Sequence, residues 1–233
     1  MTQIIETDDP VAKAASKIAE VLRAAIAENG EASLMVSGGS SPKPVYAALS
    51  QADLVWKNVT IGLVDERWVD AGKDGSNETF IRENLLQNAA ARATFIGMKT
   101  AHDSPHEGLD TLTANFQNCP QPFDVCVMGM GLDGHTASWF PDAQGLEPAL
   151  DTANPNVFCA ISADGCPVAG NHPQRMSLTL SAVLAARDII LFIPGGAKRE
   201  VYLAAANKAE LEAPVKTLSK AGDKLCVFLS KAT

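Results

Sequence analysis

The sequence lacks a surplus of positive charge, a cysteine pair with metal-ligand or redox spacing, and any long apolar run. Each absence excludes something. Its 233 residues carry a formal charge of −8, with acidic residues spread along the chain. A nucleic-acid-binding surface would need a basic stripe to displace phosphate counterions, so no nucleic-acid partner is expected. Net charge does not exclude a small anionic ligand, because a few cations converging in one cleft dominate the local field. The five cysteines (Cys119, Cys126, Cys159, Cys166 and Cys226) form no C-x-x-C pair, and the gaps 119–126 and 159–166 match no zinc spacing. No metal is expected. The stretch MTQIIETDDP lacks a charged segment followed by an apolar core, and no apolar run approaches the ~18 residues of a spanning helix. The expectation is a cytoplasmic protein with reduced thiols and no membrane partner.

What is present is ordinary globular composition, 46% hydrophobic and 20% charged. Asp9-Pro10 reads as a helix cap with a first-turn proline. Val11, Ala14, Ala15, Ile18, Val21, Leu22, Ala25 and Ile26 then recur at helical spacing until Asn29-Gly30. Apolar runs at 32–36, 59–64, 123–128, 157–161, 189–193 and 225–229 read as strands. Helices are expected near 43–50, over 76–86, from the Ser104/Glu107 capping box to about Cys119, and over 197–207. Strands alternating with helices imply an α/β fold: one domain over 1–233, with a Rossmann-like, mainly parallel sheet covered by helices on both faces. Residues 140–175 are the most irregular part.

Polar, glycine-rich or charged clusters follow four of the strand-like runs, at 37–42, 65–67, 129–136 and 194–198. Ligands bind at the carboxyl ends of the strands in open parallel sheets, so the four clusters point to one shared site. Ser37, Gly38, Gly39, Ser40 and Ser41, followed by Pro42, join a strand to a helix. They make either a phosphate cradle of backbone N–H groups and hydroxyls or a tight turn with a serine cap. Gly129-Met130-Gly131-Leu132-Asp133-Gly134 spells G-x-G-x-x-G, but Pro141 follows soon after and no long helix can open at the third glycine. A dinucleotide site is therefore disfavoured, and no P-loop motif is present. No cofactor is expected.

Asp133 lies two residues from His135, where a carboxylate can orient a neutral imidazole as a general base. A lone histidine is nevertheless more often structural. His102, His106 and His172 read as surface residues. Arg67, Arg175 and Lys198 are the candidate site cations. Their competing reading is the surface ion pair usual for such side chains.

Six segments, SGGSSPKPVY (37–46), VDERWV (64–69), SNETFIRENLL (76–86), MGMGLDGHTASWFP (128–141), RMSLT (175–179) and PGGAK (194–198), occur in that order. Together they resemble the glucosamine-6-phosphate isomerase/6-phosphogluconolactonase family, on its lactonase side. The resemblance implies hydrolysis of 6-phosphoglucono-δ-lactone to 6-phosphogluconate in the pentose phosphate pathway, without metal or nucleotide. It implies His135 as the base and Asp133 as its orienting partner, with Arg67 and neighbouring Asp65 in the same site. Arg175, Lys198 and the 37–41 loop would hold the substrate phosphate. In the deaminase pattern DGH-x-A-F-N-E-P a glutamate helps open the sugar ring, and Phe140 stands in its place here. Ammonia-releasing isomerisation of an amino sugar and a non-catalytic sugar-phosphate sensor are the alternatives. An acyl-enzyme on Ser138 is disfavoured because G-x-S-x-G is absent. Monomer or dimer is left open.

Overall fold

A computed structural model describes residues 1–230. In chain order the elements are β1 (Gln3–Thr7), α1 (Pro10–Asn29), β2 (Ala32–Val36), α2 (Lys43–Leu49), β3 (Val59–Leu63), β4 (Asp65–Arg67), α3 (Asn77–Asn84), β5 (Thr94–Phe95) and α4 (Leu109–Asn115). They continue with β6 (Val125–Met128), α5 (Leu146–Leu150), β7 (Phe158–Ser162), β8 (Gln174–Leu178), α6 (Leu180–Ala185), β9 (Asp188–Ile193), α7 (Gly196–Ala205) and β10 (Leu225–Ser230). Several short 3₁₀ turns lie between these elements.

The first helix forms as its ends dictate. The Asp9 side chain accepts from Ala12 N at 2.9 Å, and Pro10 occupies the first turn. Gly30, at φ 82°, returns its N–H to the Ile26 carbonyl at 2.9 Å. Between them Ala14, Ile18, Leu22 and Ala25 are fully buried against the sheet.

Seven strands form one sheet in the order β1-β10-β9-β6-β2-β3-β5, every pairing parallel. The strands β2 and β6 are buried at every position, which is why they read as apolar runs, interrupted only by Ser33. From β2 the chain winds outward through β3 to β5. It then returns to the other side of β2 and winds through β6, β9 and β10. The winding therefore reverses between β2 and β6, and the loops after those two strands part to open a crevice at their carboxyl ends.

The second sheet, β4-β8-β7, is antiparallel. The apolar run at 157–161 is a strand as expected, β7, and it lies in this small sheet. The expected helix from 104 to 119 is also shorter. Ser104 and Glu107 do exchange capping hydrogen bonds at 3.2 and 3.3 Å, but they close a turn, and α4 begins only at Leu109. Among the described residues no helix is long and apolar enough to cross a membrane.

The small sheet matters for function because it anchors the loop after β6. Trp139, fully buried, donates from Nε1 to the Leu178 carbonyl at 2.9 Å. That bond ties the 129–141 segment to the end of β8.

Candidate functional site

The four polar clusters meet in one cleft of about 260 Å³ at the crevice. Its volume lies near the lower end of small-ligand pockets, roughly 300–1,000 Å³, and suits one small metabolite. Ser37, Gly38, Gly39, Ser40 and Ser41 line it from the β2 side, Asp65 and Arg67 from β4, His135 from the loop after β6, Arg175 from β8 and Lys198 from α7. Asp133 does not line the cleft; it stands behind His135.

The 37–41 turn is held from below. Tyr46, fully buried, donates its hydroxyl to the Ser37 carbonyl at 2.7 Å, and Ser37 N donates to the Val127 carbonyl of β6 at 3.1 Å. Gly39 sits at φ 94°, a conformation open to glycine at little cost. The Ser37 hydroxyl is buried at the cleft wall with no hydrogen-bond partner among the described residues. Such an orphan has a reason where a ligand supplies the partner.

His135 is fixed by its own loop. Its Nδ1 lies 2.6 Å from Asp133 Oδ1, and its backbone N–H reaches the same oxygen at 3.3 Å. Pairing with a carboxylate places the proton on Nδ1 and leaves the Nε2 lone pair free. Burial alone would raise the Asp133 carboxyl, but the hydrogen bond and charge of His135 outweigh it, and the group lies below its ordinary range. Gly134 makes the turn at φ 88°. Gly131 N donates to the His135 carbonyl at 3.0 Å, and a side chain at Gly131 would collide with the imidazole. The Phe140 ring packs against the imidazole at 4.4 Å between centroids.

The cations share a feature. Among the described residues, none of Arg67, Arg175 and Lys198 has a carboxylate oxygen within ion-pair distance. Arg67 and Arg175 are direct cross-strand partners in the β4–β8 ladder. Two like charges placed opposite each other destabilise a ladder unless an anion lies between them. Arg175 is 3% exposed; its Nε donates to the His172 carbonyl at 2.6 Å and its Nη2 to the Ala169 carbonyl at 2.9 Å. Burial, with Arg67 adding to it, pushes this guanidinium down to about 10, so it stays charged at neutral pH. Lys198 Nζ donates to Ser41 Oγ at 2.9 Å, and burial lowers this ammonium from its ordinary value.

Two residues of the site, Asn77 and Glu66, carry no signal of their own in the sequence reading. Asn77, at the start of α3, lines the cleft; its Oδ1 accepts from Arg67 Nη1 and its Nδ2 donates to the Asp65 carbonyl at 2.8 Å. Its signal in the sequence was its place in the SNETFIRENLL segment (76–86). Glu66 is fully buried beneath them. Phe140, 3% exposed, lies between His135 and Arg175, whose guanidinium carbon is 5.3 Å from its ring centre. Ser138 is fully buried, does not line the cleft and donates to Asp65 Oδ2 at 2.7 Å, so its hydroxyl is engaged away from any ligand. Of the other histidines, His106 is exposed, whereas His102 and His172 are half-buried, and the His102 ring contacts Thr100 Oγ1 at 2.9 Å.

Fold and cleft together define a doubly wound α/β protein whose switch-point crevice presents unneutralised cations beside a carboxylate-oriented imidazole. The chain belongs to the family described as glucosamine-6-phosphate isomerases/6-phosphogluconolactonase, whose model matches residues 6–227. The 6-phosphogluconolactonase of Rhizobium meliloti is 38% identical over 228 residues, covering 97% of this chain and 96% of its own. That of Pseudomonas aeruginosa is 38% identical over 208 residues, covering 89% and 85%. The crystal structure of a 6-phosphogluconolactonase from Shewanella baltica superposes with a TM-score of 0.89 at 39% identity, covering 99% of this chain and 97% of that one. A monomeric glucosamine-6-phosphate deaminase superposes with a TM-score of 0.77 at 16% identity, which speaks for the fold alone.

Proposed function

We propose that this protein is a cytoplasmic 6-phosphogluconolactonase that opens 6-phosphoglucono-1,5-lactone to 6-phosphogluconate. The observation that carries the proposal is the arrangement itself: a histidine oriented by Asp133 faces the same cleft as three cations that lack carboxylate partners among the described residues. The likeness to lactonases over nearly the whole chain supports the choice of substrate.

The reaction needs a base for water and fixed positive charge where the carbonyl oxygen becomes an oxyanion. His135 Nε2 takes a proton from water as its oxygen bonds to C1. The imidazolium, stabilised by Asp133, then gives that proton to the ring oxygen as the C1–O5 bond breaks. The product leaves as a carboxylate with a free C5 hydroxyl, and one proton is released to solvent. The 37–41 turn, Lys198 and Arg175 hold the phosphate. Arg67, steadied by Asn77, faces the reacting carbonyl, with Asp65 beside it.

Phe140 separates this reading from amino-sugar deamination. An aromatic ring against the imidazole transfers no proton, so the cleft offers no second acid at that position for ring opening. Proton release from the lactone above its spontaneous background tests the proposal. Ammonia from glucosamine 6-phosphate, with no effect on the lactone, would refute it.

A further inference from the structure

Glu66 lies between Asp65 and Arg67, two residues of the cleft wall, yet points away from the cleft and is fully buried. Among the described residues no cation pairs with it. Both of its oxygens are occupied. Oε1 accepts from Arg67 N at 2.8 Å and Asn77 N at 2.7 Å, and Oε2 accepts from Glu78 N at 2.7 Å and Ser76 Oγ at 3.3 Å. Four donors on one carboxylate describe the ionised form. Burial opposes that form and, with the charge of Asp65, pushes the carboxyl up to about 7 against the backbone hydrogen bonds.

A buried charge is costly, and capping of α3 accounts for only part of it. Ser76 already caps α3, accepting from Thr79 N at 3.2 Å. Glu66 takes the two N–H groups that precede Thr79, and it takes them from the strand that carries Arg67. It therefore joins β4 to the first turn of α3. Asn77, positioned by that join, reaches across to the Arg67 guanidinium and to the Asp65 carbonyl.

We propose that Glu66 is a positioning residue of the site: its carboxylate clamps β4 to the start of α3 and so sets the Arg67–Asn77 pair against the ligand. In the lactonase reading, on which the kinetic part rests, Glu66 acts on the substrate only through Arg67. A glutamine keeps the shape but presents an NH₂ to two of the four donors, so the clamp loosens without leaving a cavity.

Glu66→Gln, Arg67→Ala and their combination are compared for lactone hydrolysis and for binding of 6-phosphogluconate and inorganic phosphate by calorimetry. Glu66→Gln should lower kcat/KM and weaken binding of 6-phosphogluconate, whose carboxylate occupies the reacting position, about 5-fold or more, an effect on the scale of one lost charged hydrogen bond. In the Arg67→Ala background the same change should cost less than about twofold. A penalty of equal size in both backgrounds, or a fall in kcat matching the loss of folded protein with 6-phosphogluconate binding unchanged, overturns the proposal. Asn77→Ala provides the check if Glu66→Gln does not fold. It should lower kcat/KM and weaken 6-phosphogluconate binding in the same direction, and unchanged values of both overturn the clamp. Absence of turnover in the wild-type chain would refute the lactonase reading, while the binding cycle would still decide the role of Glu66.

Discussion

Replacing Asp133 by asparagine separates orientation of the base from binding of the substrate. The side chain keeps its size, but the 2.6 Å contact with His135 Nδ1 loses its charge. An amide is also free to turn its NH₂ toward Nδ1, which would move the imidazole proton to Nε2 and remove the base. A hydrogen bond to a charged group contributes about 1.5–3 kcal/mol, and these two side chains are 22% and 24% exposed, which places the pair in the lower half of that range. The carboxylate also stabilises the imidazolium formed in the transition state, a Coulombic contribution screened by the same exposure. Together they come to about 1.5–3 kcal/mol, or roughly 10–100-fold in kcat. KM should stay within about twofold, because Asp133 neither lines the cleft nor contacts any of the phosphate-binding candidates. The assay is the initial rate of lactone hydrolysis with the spontaneous rate subtracted. A variant with wild-type kcat, or one that loses activity through KM, would refute the role given to the dyad.

Lys198→Ala should raise KM about 10-fold and leave kcat within about threefold, the mark of an interaction made equally in ground and transition states. Because burial lowers the Lys198 ammonium, its charge is lost at a lower pH than that of an exposed lysine. Binding of 6-phosphogluconate should therefore weaken as the pH is raised toward 10, and calorimetry should find that limb diminished in Lys198→Ala. Arg175→Ala should raise KM as well, but it also leaves the Ala169 and His172 carbonyls without their donor, so Tm should fall by several degrees. Gly131→Ala drives a methyl group into the His135 ring and should lower kcat with little effect on 6-phosphogluconate affinity; unchanged kinetics would mean that the imidazole need not sit where it does.

The parallel sheet was legible because a strand covered on both faces must be mostly apolar, and the run at 189–193 is so throughout, that at 32–36 at every position but Ser33. The crevice followed from the same fact, since polar clusters directly after such runs fall on one edge. The second sheet was not legible. The strand β4 has only three residues and β8 carries a buried arginine and a buried serine, so neither shows an apolar period. The edge strand β1 offers only Ile4 and Ile5 in a polar stretch. Glu66 and Asn77 were hidden for a different reason. Their importance lies in hydrogen bonds to backbone groups 11 and 12 residues away, and no spacing rule reports such contacts. Placing Asp133 behind His135, by contrast, needed only the local turn that Gly134 permits.

His135 is the proton acceptor of the proposed reaction, and His135→Ala measures that directly when kcat and 6-phosphogluconate affinity are taken on the same preparation. Loss of a general base should lower kcat by at least about 10²-fold while the dissociation constant stays within about threefold. A kcat within threefold of wild type, or a parallel loss of affinity and rate, would contradict it.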